Sequence, residues 1–147
     1  MRLLLTAAAL LSLTACERQP AEPKVEVADA VVQLPAVSGR PGVAYFTLTS
    51  NNEPTRLVSV TSPRVERIEL HETVEENGVS RMRPLENATF ENGALTFETG
   101  GKHAMLFGID PELRAGDTVP LTFTFDPVSP VTVEAEVRAF GGSHESH

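Results

Sequence analysis

The chain is poorest in the residues that many reactive sites depend on. Among 147 residues there is a single cysteine, Cys16, so no disulfide can form within the chain. Tryptophan is absent and tyrosine occurs once, which leaves a core to be built from Val, Leu, Ile and Phe. G-x-S-x-G, H-E-x-x-H and phosphate-binding glycine loops are missing, and with them the commonest signatures of serine hydrolases, zincins and nucleotide enzymes. His71-Glu72 has no second histidine four residues on, so a zincin helix fails there too. Basic residues are also scarce. Twelve Lys and Arg stand against 20 Asp and Glu, a formal net charge of −8. That balance argues against nucleic acid, whose binding requires cationic side chains to neutralise phosphates. No apolar run approaches the roughly 20 residues that a membrane-spanning helix needs.

The longest apolar run lies at the N-terminus. Arg2 precedes Leu3 to Leu13, and Leu13-Thr14-Ala15-Cys16 places small residues directly before the cysteine. This pattern reads as a lipoprotein-type signal peptide over residues 1–15, cut before an acylated Cys16. The alternative is an ordinary signal peptide with Cys16 as a chance neighbour. Export to the periplasm follows from either, and attachment to a bacterial membrane through Cys16 from the first. A lipidated Cys16 leaves the mature domain without a thiol, so nucleophilic cysteine chemistry and thiolate metal sites are excluded. Residues 16–24 (CERQPAEPK) read as the lipidated cysteine and a flexible tether, and residues 141–147 (GGSHESH) as a disordered, histidine-containing tail.

Residues 25–140 read as one domain of short strands. The apolar or alternating runs are Val25 to Leu34, Gly42 to Thr49, Leu57 to Thr61, Val65 to Leu70, Leu95 to Glu98, Met105 to Ile109, Val119 to Phe125 and Val131 to Val137. Leu121, Phe123 and Phe125, then Val131, Val133, Ala135 and Val137, alternate with period two, the mark of strands with one buried face. Asn77-Gly78, Asn92-Gly93, Gly100-Gly101 and Pro127 to Pro130 are turn signals, and Asn77-Gly78 has the composition of a hairpin turn. The expected class is all-β, an antiparallel sandwich of Greek-key type.

What remains for chemistry is a small set of His and Met. Met1 leaves with the signal peptide, so the mature chain keeps only Met82 and Met105; His144 and His147 lie in the tail, leaving His71 and His103 in the domain. His103-Ala104-Met105, at the start of a strand, would project imidazole and thioether from the same face. His71 would stand at a sheet margin, at the end of the run Val65 to Leu70. The Asn77-Gly78 turn would fold Met82 back towards it, with Arg81 and Arg83 pointing away. Two thioethers and two imidazoles form a neutral, soft set suited to Cu(I). Zinc would call for Cys and His, and calcium for carboxylates. Taken singly, each Met also reads as core filler and each His as solvated surface.

The stretches HETVEENGVSRMRPLE and GGKHAMLFGI resemble the periplasmic copper chaperone family written PCu(A)C, whose pattern is His, ten residues, Met, about twenty-one residues, His-x-Met. Here ten residues separate His71 from Met82 and twenty separate Met82 from His103. The one-residue shortfall falls in a stretch rich in turn signals. The resemblance also takes in GVAYFTLTSNN and the closing strand. It implies a cupredoxin-like sandwich binding one Cu(I) ion through His71, Met82, His103 and Met105, without catalytic turnover. It further implies a copper-acceptor partner, cytochrome c oxidase subunit II or another copper chaperone, with delivery to the oxidase's binuclear copper centre. Envelope copper buffering is the competing reading. His144 and His147 are either a sparse form of the family's Cu(II)-loading tail or an ordinary polar terminus.

Overall fold

The computed structural model describes residues 22–52 and 55–141. The signal peptide, Cys16 and the tail histidines lie outside the described residues. Among the described residues nine strands follow one another: β1 (Val25–Gln33), β2 (Gly42–Ser50), β3 (Arg56–Thr61), β4 (Val65–Glu76), β5 (Val79–Pro84), β6 (Ala94–Phe97), β7 (Lys102–Ile109), β8 (Thr118–Asp126) and β9 (Val131–Arg138). They form one sheet in the order β3-β8-β9-β1-β2-β7-β4-β5, with β6 on β2. Every strand pairing is antiparallel except β1 with β9, which run parallel. The expected all-β class holds.

The sheet curls because β1 changes partners partway along. Val25 to Ala28 pair with β2, the register slips between Ala28 and Val31, and Val31 to Gln33 then pair with both β2 and β9. Asp29 takes a left-handed conformation (φ 53°) at this bulge. Bulges of this kind bend and twist a strand, and here the bend lies where β1 joins the β2-β7-β4 layer to the β9-β8-β3 layer.

The core between the layers follows the alternation of the sequence. Ala44, Phe46 and Leu48 of β2 point inward, as do Ala104 and Leu106 of β7, and Val119, Leu121, Phe123 and Phe125 of β8 face them. Phe46 stacks on Phe97 with ring centroids 4.4 Å apart, and meets Phe123 edge-on at 4.8 Å. Such contacts stitch the layers together without tryptophan. Neither Met82 nor Met105 belongs to this core. Both are therefore free of the role that methionine most often fills.

At the N-terminal edge, the Lys24 amide donates to Asn51 Oδ1 at 2.8 Å and Asn51 Nδ2 donates to the Glu22 carbonyl at 3.0 Å. The end of the segment read as tether is thus tied to the domain.

Candidate metal centre

The β4–β5 hairpin and β7 build the site. Asn77 (φ 53°) and Gly78 (φ 74°) form a two-residue turn with both residues left-handed, as the Asn-Gly signal predicts. This turn sets the β4–β5 register, with His71 opposite Pro84 and Thr73 opposite Met82. On the other side of β4, His71 lies directly opposite His103, and Glu69 opposite Met105. Because side chains alternate along a strand, His71, His103, Met105 and Met82 all project from one face, the one turned away from Ala104 and Leu106. Met82 is the diagonal neighbour of His71 across the hairpin, within reach of a long side chain. Arg81 and Arg83 project from the reverse face, where Arg83 Nε meets Glu72 Oε1 at 2.9 Å.

One expectation is revised. His71 does not end a strand at a sheet margin, because β4 continues to Glu76 and β5 forms the edge. Nor did the sequence single out β5 as a strand. Its six residues are all exposed, so no buried face leaves an apolar alternation to read.

The two imidazoles are 6.0 Å apart between ring centroids and inclined by 37°. His103 is buried, at 6% exposure. Its Nδ1 lies 3.0 Å from the carbonyl oxygen of Gly101, which can only accept, so Nδ1 carries the proton and donates. That carbonyl also accepts the Thr73 amide at 3.1 Å. Gly100, at φ 82°, supplies the left-handed turn that presents it. His71 is arranged the opposite way round. Its Nε2 donates to Glu69 Oε2 at 3.1 Å, because a carboxylate can only accept. The His71 hydrogen bond is the largest influence on the Glu69 carboxyl and, helped by the Arg67 charge, holds it below its ordinary range in spite of the opposing effect of burial.

Each ring therefore has one nitrogen engaged as a donor and one left bare. His71 Nδ1 and His103 Nε2 are the two buried side-chain nitrogen or oxygen atoms without a hydrogen-bond partner among the described residues. Leaving such an atom unmade typically costs about 1–3 kcal/mol. Two on one face, from residues directly opposite each other, make a paired lone-pair donor site. Met105 is half-buried beside them and Met82 is 55% exposed at the rim. Among the described residues no group of three or more His, Cys, Asp or Glu is arranged to hold a metal ion. The donors gathered here are nitrogen and thioether.

Residues 25–137 match the model of a family described as "Putative lipoprotein LpqE-like". The chain belongs to the LpqE-like family. Two curated relatives are similar to it. "Uncharacterized protein RP573" of Rickettsia prowazekii is 32% identical over 63% of this chain, which spans only 53% of that protein's length. "Putative lipoprotein Lxx21020" of Leifsonia xyli subsp. xyli is 29% identical over all of this chain and 95% of its own length. Among solved structures, Cu(I)-DR1885 of Deinococcus radiodurans is 31% identical over 74% of each chain, with a TM-score of 0.60. The copper-bound PCuAC domain from PmoF2, at 22% identity, covers 79% of this chain and 93% of its own, also with a TM-score of 0.60. At that lower identity the likeness concerns fold, and the fold is the cupredoxin-like sandwich. The resemblance to the PCu(A)C family, first met in the spacing of His and Met, is thus borne out.

Proposed function

We propose that this protein is an exported carrier of one Cu(I) ion, held by His71 Nδ1, His103 Nε2 and the thioethers of Met82 and Met105. The observation that carries the reading is the pair of bare, buried imidazole nitrogens on the face that bears both methionines. Neutral nitrogen and thioether donors favour Cu(I) over harder or more highly charged ions. The copper named for Cu(I)-DR1885 and for the PmoF2 domain supports the same cargo.

The ion is bound to be handed on. Met82 stands on the edge strand and is exposed, so an incoming donor from an acceptor protein can displace it first while the buried histidines still hold. Stepwise ligand exchange then moves Cu(I) without freeing it into water. Our reading of the destination is the binuclear copper centre of cytochrome c oxidase, reached through subunit II or a second chaperone. The word lipoprotein in the family description and in one relative's name supports an anchor at Cys16 and an exported location. His144 and His147 offer a weak Cu(II) site in the tail.

Anaerobic titration of the protein with Cu(I) against a competing chelator tests the carrier. Wild type takes up one equivalent tightly. Changing Met82 and Met105 together to Leu weakens uptake by at least about 100-fold while the unfolding temperature holds, since neither side chain is in the core. Equal affinity in the double variant would refute the ligand set. In copper-limited cells the same variant lowers oxidase activity, and added copper restores it. Unchanged oxidase activity with altered copper tolerance would favour buffering. Cys16→Ser moves the protein from the membrane to the soluble fraction.

A further inference from the structure

The geometry points to Glu69 as the positioning residue of this centre: braced by Arg67 and Phe107, it orients His71 so that the ion is taken through Nδ1. This deepens the copper reading and rests on it.

Four side chains form a chain of contacts on the outer face of β4 and β7. The Arg67 guanidinium lies over the Phe107 ring, 4.4 Å from its centroid. Arg67 Nε donates to Glu69 Oε1 at 2.8 Å. Glu69 Oε2 accepts from His71 Nε2 at 3.1 Å. His71 Nδ1 then has no hydrogen-bond partner among the described residues. Arg67, Glu69 and His71 occupy every second position of β4, and Phe107 lies opposite Arg67 on β7, so the pleat aligns all four.

Each link removes a freedom that would spoil the site. An unbraced imidazole on a strand can rotate about its side-chain bonds and exchange its ring proton between the two nitrogens. The Glu69 oxygen facing Nε2 accepts its hydrogen bond, which keeps the ring proton there and leaves the Nδ1 lone pair open. Arg67 engages the other carboxylate oxygen, so the carboxylate is held from both ends. The cation over Phe107 limits where Arg67 can go. His103 needs no such side chain because the Gly101 carbonyl does the same work from the backbone. The result is an asymmetric pair, one ring offering Nδ1 and the other Nε2. Hydrogen-bonded partners behind metal-binding histidines typically contribute about 10–100-fold in affinity.

The test needs no catalytic activity. Long-range 1H–15N spectra of the apo protein above the histidine titration range are expected to show His71 protonated at Nε2, with a proton protected from solvent exchange, and His103 protonated at Nδ1. Adding Cu(I) shifts the His71 Nδ1 and His103 Nε2 resonances. Glu69→Leu exposes the His71 Nε2 proton to exchange and weakens Cu(I) binding about 10–100-fold, leaving His103 unchanged. Glu69→Gln, whose amide oxygen can still accept, restores most of both. Loss of the His71 Nε2 proton on copper binding, or wild-type affinity in Glu69→Leu, would overturn the assignment. A wild-type protein that takes up no Cu(I) would sink the copper reading instead, and the apo spectra of wild type and Glu69→Leu would still decide whether Glu69 holds His71.

Discussion

Asp110, in the turn after β7, is held by groups from two segments. One carboxylate oxygen accepts the Glu112 amide at 2.8 Å and the other receives Arg64 Nε–H. The backbone amide of Glu112, then the Arg64 guanidinium, lowers the Asp110 pKa in the fold. A depressed carboxylate contributes stability above its unfolded pKa, near 4, and loses it as pH falls through the folded value. Asp110→Asn keeps an acceptor for the amide and removes the charge. It is expected to lower the unfolding temperature by a few degrees at pH 7, with the gap to wild type closing as pH falls below about 4, the ordinary carboxylate value. A gap that stays constant as the solution is acidified would exclude the charge as the cause. At this scale the metal-binding candidates were legible by residue type and spacing, because soft donors are rare in this chain and His103-Ala104-Met105 falls on a strand. The residues that set ring orientation were not. Glu69 reads as one more acidic surface residue, and Gly101 acts through a carbonyl that every residue has. The only hint was the two-residue step from Glu69 to His71, which has meaning only once β4 is known to be extended there.

The β4–β5 hairpin is the element on which the centre depends. Its outer half, Thr73 to Glu76 with Val79 to Pro84, has little buried apolar surface to fix its register. The Asn77-Gly78 turn therefore carries much of that specification. Nothing lies within 4 Å of where a Cβ on Gly78 would stand, so its requirement is conformational alone. Gly78→Ala is expected to cost about 1 kcal/mol, the penalty for placing a side chain in the left-handed region. It should also weaken Cu(I) binding several-fold by loosening Met82, while Gly116→Ala, at φ 96° and equally open but remote from the site, leaves binding unchanged. Equal copper affinity in the two variants would dissociate the turn from the site. The eight strands with an apolar face were legible in the sequence because a buried face imposes alternation. The far half of β4 and the whole of β5 were not, since both of their faces meet solvent. The turn between them was legible, and it implied the pairing that the strand pattern could not show.

Across the whole molecule, stability and function occupy opposite faces of one sheet. Inward residues of β2 and β7 join Leu121, Phe123 and Phe125 in a core that needs neither methionine nor histidine. Outward residues of β4, β5 and β7 carry the donors. This separation would let the proposed ligands be exchanged or displaced without loosening the fold, which suits a carrier better than a buried structural metal would. The all-β sandwich was legible from strand spacing, and its cupredoxin-like form from the family resemblance. The parallel β1–β9 pairing was not, because it joins the two ends of the domain and depends on a bulge at Asp29 that no local pattern announces. In the proposed centre two imidazole nitrogens and two thioethers hold the ion together. Copper K-edge X-ray absorption of the Cu(I)-loaded protein carrying Cys16→Ser, where no thiolate can contribute, tests it most directly. The expected spectrum has a Cu(I) edge and a first shell of two nitrogen and two sulfur scatterers, with both sulfurs lost when Met82 and Met105 become Leu. A shell of nitrogen and oxygen alone, or a Cu(II) edge under reducing conditions, would contradict it.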